Sequence, residues 1–242
     1  MLIKLLAVLA VTLFTAVVFA PAAWVGDLVQ ARTPARLVHA QGTVWHGSAL
    51  LALSDGQQAR LVPGRLSWQV AWDQLPAGRI GVSVQHPALH PGARIATDGR
   101  SLELAPGELR MPASVLAVLG APFNTMRLGG TLHAKWDALR LEEDAFAGLI
   151  QVDWEDAQSA LSPVAPLGAY RLTALGRGAA AETKLTTLKG PLLVQGEGRL
   201  ENGRARFRGT ATAEPEMAAS LRGLIGVLGQ RVGDRAVLNW EL

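Results

Sequence analysis

Six carboxylates lie close together in Glu142-Glu143-Asp144 and in Asp153, Glu155 and Asp156. Two carboxylates can share acid and base work when one is held neutral and the other ionised. Nothing in this spacing sets one apart from another, so the group reads as a solvated face rather than a hydrolase site. His86 and His90 have the spacing of a metal pair on a helix, but Pro87 and Pro91 forbid that helix and leave a loop. His39, His46 and His133 occur singly, and no metal ligand is assigned. Gly176-Arg177-Gly178 with Ala181 imitates part of a dinucleotide fingerprint, yet no strand-helix-strand unit surrounds it, so no cofactor is assigned. The phosphate loop, the nucleophile elbow and the zinc-protease helix motif are all missing. No catalytic residue is assigned, and the expectation is a protein that is not an enzyme. One pattern remains: Arg204, Arg206 and Arg208 share a strand face, with Ala205 and Phe207 on the other. That basic stripe is either an edge strand kept from aggregating by charge or a contact for an acidic partner or lipid head groups.

The elements that would carry these residues are mostly strands. Ile80, Val82 and Val84 alternate with polar neighbours, and the run from Leu192 to Leu200 is extended. Asp55-Gly56, Asp98-Gly99 and Asn202-Gly203 mark tight hairpins, because the turn needs positive φ. Six of the seven tryptophans fall in segments that read as strands, where a large amphipathic ring suits a half-buried pleat. Helices are few. Pro112 to Gly120 predicts a short one, with proline at its start and glycine at its stop. Pro215 to Leu228 predicts a second, on the spacing of Leu221, Leu224, Ile225 and Leu228. Arg235 to Leu242 closes the chain as a strand. Gly42-Thr43-Val44-Trp45-His46-Gly47 is echoed by the stretch from Gly130 to Trp136, and Gly64-Arg65-Leu66-Ser67-Trp68 by that from Gly148 to Trp154. Stacked β units of one kind produce such echoes. The expected fold is mainly β: one N-terminal transmembrane helix, then an antiparallel, repeat-like sheet with one or two short helices.

Residues 5–25 carry no charge, and as a helix they span about 31 Å, enough for a bilayer core. Lys4 precedes the run and Asp27 follows it, which leaves residues 1–4 in the cytoplasm and residues 26–242 across the membrane. The rival reading is a cleaved signal peptide at Ala20-Pro21-Ala22, but the run is longer than such a peptide needs and proline sits inside the site. The rest of the chain is long enough for one large β domain or two small ones. It has no Cys, so neither disulfides nor thiol chemistry contribute. A net charge of +3, with both signs interspersed, argues against nucleic acid as a partner.

The anchor, the β region punctuated by Trp and Gly, and the stretches Gly42 to Gly47, Gly64 to Trp68 and Lys189-Gly190-Pro191-Leu192 resemble type II secretion system protein N. The resemblance covers essentially the whole chain and rests on structural motifs. It implies a single-pass inner-membrane protein of a Gram-negative bacterium with a periplasmic domain, a non-enzymatic accessory to the export of folded proteins across the outer membrane. Its partners would be other inner-membrane and periplasmic secretion components. The chain is also distantly similar to AsmA-like envelope proteins. That likeness implies the alternative of a lipid-binding or lipid-transfer protein, with phospholipid held in a β groove lined by positions such as Ile80, Val82 and Val84. No active-site residues come with either family.

Overall fold

A computed structural model describes residues 15–33, 35–54, 59–120, 123–201 and 204–241. The chain divides into two compact units, Met1–Pro87 and Ala88–Leu242.

In the first unit the apolar leader does not run as one helix to Val25. Its part from Leu5 to Phe14 lies outside the described residues. Thr15 to Val18 are helical, and the chain then leaves the helix: Pro21 bridges to Thr43, the Ala22 amide donates to the Gly42 carbonyl, and the Val44 amide donates to Ala20. Proline lacks the amide that would continue a helix, and Ala20 and Ala22 are small enough to be buried beneath the sheet. A new helix, α1 (Ala23–Arg32), follows, closed by the Thr33 hydroxyl donating to the Val29 carbonyl. No helix of the described residues is long and apolar enough to cross a membrane, which says nothing of strands.

Four antiparallel strands complete this unit: β1 (Ala35–Gly42), β2 (His46–Ser54), β3 (Ala59–Ala71) and β4 (Ile80–Gln85). Trp68 and Ala49 form their core with Ala22, and Val25, Leu37, Leu66, Val82 and Val84 pack around it. Val82 and Val84 therefore fill a core instead of lining a groove, while Ile80 is exposed at the strand's start. Asp55-Gly56 lies outside the described residues. Trp45 sits in a bend and Trp72 opens a 3-10 turn (Trp72–Ala77), so neither belongs to a strand. Pro76 inside that turn has no amide for a sheet ladder.

The second unit is built on one long antiparallel meander. Its strands are β5 (Leu89–His90), β6 (Ala93–Thr97), β7 (Leu102–Leu104), β8 (Gly107–Pro112), β9 (Gly129–Trp136), β10 (Leu139–Glu142) and β11 (Ala145–Gln158). There follow β12 (Gly168–Gly178), β13 (Ala180–Lys189), β14 (Leu192–Glu201), β15 (Arg204–Ala213), β16 (Gln230–Val232) and β17 (Arg235–Glu241). Pairing runs β5-β8-β9-β11-β12-β13-β14-β15-β17-β16, and β10 lies beside the start of β11 with β7 beyond it. Glu201 pairs with Arg204, as the Asn202-Gly203 turn requires, although that dipeptide itself lies outside the described residues. Asp98-Gly99 joins β6 to β7 in a longer loop, with Thr97 paired to Leu102. There the Asp98 carboxylate accepts from the Arg100 and Ser101 amides, which hold its pKa down to about 2.

Opposed residues of an antiparallel pair share a face, and the register separates the two faces sharply. One row across the sheet reads Leu109, Ala134, Val152, Leu172, Leu185, then Gly196, Gly209 and Leu238. The adjacent row, on the opposite face, reads Glu108, Lys135, Gln151, Thr173, Lys184, then Glu197, Arg208 and Asn239. At one end the apolar face is closed by α2 (Ala218–Leu228), whose Leu221, Leu224 and Ile225 pack with Leu192, Ala211 and Ala236. The predicted stripe is thus real, preceded by a 3-10 turn at Pro215–Met217. The other predicted helix is a 3-10 turn, Ala113–Leu119. At the far end of this face Leu172 and Leu200 stay exposed.

Candidate functional site

The polar face of β12 to β15 is concave and borders an open hollow of about 1190 Å³. Its floor is set by alternation: Glu182 and Lys184 on β13, Glu197 and Arg199 on β14, Arg206 and Arg208 on β15 all point the same way. On the reverse side the Phe207 ring lies over Gly196, Gly198 and Gly209, and a Cβ at any of the three would meet it. An aromatic covering glycines in this way lets the strands approach and bend. Arg204 and Arg206, with Arg199 and Glu201, line a second hollow of about 500 Å³ beside the first.

The arginines named from sequence therefore come together in a concave surface, but not on an edge. β15 pairs with β14 on one side and β17 on the other, so charge is not guarding an open strand there. Sequence reading missed their neighbours Glu182, Lys184, Glu197 and Arg199. Their signal was the alternation of Gln195, Glu197 and Arg199 with glycine along β14.

The electrostatics are mixed in sign. Arg199 reaches Glu182 at 3.3 Å and Glu201 at 3.5 Å, and Arg206 reaches Glu241 at 3.8 Å. These side chains are exposed, so each pair contributes about 0–1 kcal/mol. Arg199 and Arg206 stand directly opposite each other, and like charges in that register cost stability. Among the described residues Arg208 has no carboxylate within ion-pair distance. Arg208 stands opposite Glu197 without reaching ion-pair distance, and its guanidinium can take a further carboxylate.

The acidic cluster does not converge. Asp153 takes a bidentate bond from Arg171, at 2.7 and 2.8 Å, and that partner holds its carboxyl below the usual range. Glu155 pairs with Arg110 at 3.3 Å, and Glu142 with Arg140 at 2.8 Å. Asp156 occupies a bulge at φ 50°. Glu108 bonds His133 at 3.2 Å and is also held low, by His133 first and then by Lys135 at 3.5 Å. A general acid needs a raised pKa, and the carboxyls of Asp98, Glu108 and Asp153 are shifted the other way. Gly176 and Gly178 end β12 at a hairpin with Gly178 at φ 86°, so no helix follows to cradle a phosphate. His86 is buried while His90 is exposed beside Pro91.

Such a fold and surface define a class: a glycine- and tryptophan-pinned antiparallel β protein whose distinctive feature is a charged concave face. The family model for type II secretion system protein N matches residues 34–238, nearly all of the chain after the leader. The protein belongs to that family and is an accessory component of type II secretion, with other components of that system as its partners. No curated protein and no solved structure matches the chain significantly.

Proposed function

We propose that the protein is a non-enzymatic adaptor of the type II machine, held in the inner membrane by its apolar leader with its β units in the periplasm. Restricting it to the membrane plane raises its effective concentration near membrane partners. Its concave polar face then receives an acidic segment of another secretion component. The observation that carries this reading is the opposition of Arg199 to Arg206 in one hollow, with Arg208 beside them in no ion pair among the described residues. The test is charge reversal in cells. Arg206→Glu with Arg208→Glu leaves the apolar face untouched, so the protein should accumulate normally while secretion falls and its crosslinks to partner components disappear. Full secretion with unchanged crosslinks would remove the concave face from the function.

A further inference from the structure

The first unit carries its own apolar surface, and it lies where the leader arrives. Phe19 is 70% exposed, and on α1 Trp24 and Leu28, one turn apart, are 60% and 61% exposed. The opposite side of the same helix is also apolar: Val25 packs against the core and Gly26 against Leu37. A helix that is apolar on both sides, one of them against its own sheet, is built to have its other side covered. Beside the leader's last helical turn, the Trp45 indole donates to the Val17 carbonyl at 2.7 Å and stacks on the half-exposed Trp72 at 4.0 Å.

The occupant follows from the absence of slack. Val18 is still helical and Ala20 is already buried, with its carbonyl bonded to Val44. Two residues span at most about 7 Å. Whatever surrounds Val17 and Val18 must therefore lie against this unit. Tryptophan favours the level of the lipid head groups, where its ring is shielded and its N–H stays wet. Asp27, exposed on the flank of α1, keeps a charge outside and limits the depth.

We propose that the first unit is seated on the phospholipid bilayer, with Phe19, Trp24 and Leu28 at head-group depth, and does not swing from a loose tether. The proposal rests on the membrane attachment of the leader. Because the chain has no cysteine, full-length protein can carry one fluorophore at a single introduced site. The sites are Trp24→Cys, Leu28→Cys and, on the sheet face turned away from α1, Ser83→Cys. Each variant is reconstituted in phosphatidylethanolamine and phosphatidylglycerol vesicles containing a head-group nitroxide lipid. The first two labels should lose their emission and the third should keep it. If the vesicles carry the protein but all three labels stay equally bright, the unit is anchored without being seated and the proposal fails. If the protein does not float with the vesicles at all, the attachment itself fails, and the seating with it.

Discussion

Leu224→Ala and Gly223→Ala, adjacent in α2, should move stability in opposite directions. Leu224 is 1% exposed and packs among Leu221, Ile225, Leu192 and Ala236. Removing such a side chain loses its transfer free energy and leaves a cavity, about 3–5 kcal/mol together. Gly223 faces outward, and a Cβ added there meets nothing within 4 Å. In a helix interior alanine is favoured over glycine by about 0.8–1 kcal/mol. Gly226 is equally open, so Gly223→Ala with Gly226→Ala should gain about 1.5–2 kcal/mol. Urea unfolding of the full chain in mild detergent, followed by far-ultraviolet circular dichroism, reads both. With a slope of about 2–3 kcal/mol/M the leucine variant's midpoint falls by about 1–2.5 M, and the glycine pair's rises by about 0.5–1 M. A leucine variant within about 0.5 kcal/mol of the parent would show that α2 does not close this core. A loss of stability in the glycine pair would mean that the outer face of α2 is covered.

Asp153→Asn should make the second unit less sensitive to acid. Arg171 holds the native carboxyl below its unfolded pKa of about 3.9, so this contribution is complete above that value and is lost as pH falls through the lower, native one. The gap in urea midpoint between parent and variant at pH 7 should narrow at pH 3, and a constant gap would refute the pairing. Trp68→Phe and Trp154→Phe should each cost about 0.5–1.5 kcal/mol, because each gives up a hydrogen bond to a part-buried carbonyl, of Val44 and of Gly129, both now at 2.9 Å. Thermal melts that shift for one and not the other would break the equivalence of the two sites.

Local pattern revealed what is locally determined. The leucine stripe of α2 needed only one helix's spacing, and the hairpin flanking Asn202-Gly203 needed only alternation and a turn dipeptide. Trp45 and Trp72 misled because a tryptophan between alternating residues looks the same in a strand, a bend or a 3-10 turn until its partner is known. The arginine stripe was found, yet its setting was not: β17, which covers β15, enters the sheet only after α2 and β16. Which rows of charge meet across β13, β14 and β15 depends on register, and no single strand contains that information. The leader showed the same limit. Its hydropathy continues through Ala20 and Ala22, but small residues suit a sheet's underside as well as a bilayer.

The echo in the sequence recurs as one device in each unit of a chain without cysteine. Gly42 and Gly130 take φ 90° and 96°, Gly64 and Gly148 take 112° and 125°, and at matching places Trp68 and Trp154 donate to carbonyls 24 and 25 residues earlier. Trp136 repeats the device across 31 residues, to Ala105. Each ring buries on the order of 150–250 Å² and fixes one long-range hydrogen bond. Indoles thus fasten the ends of neighbouring strands, and in the second unit Trp136 and Trp154 do so from the apolar face. On the opposite face Arg199 and Arg206 stand opposed, and a partner's carboxylates would relieve that like-charge cost on binding.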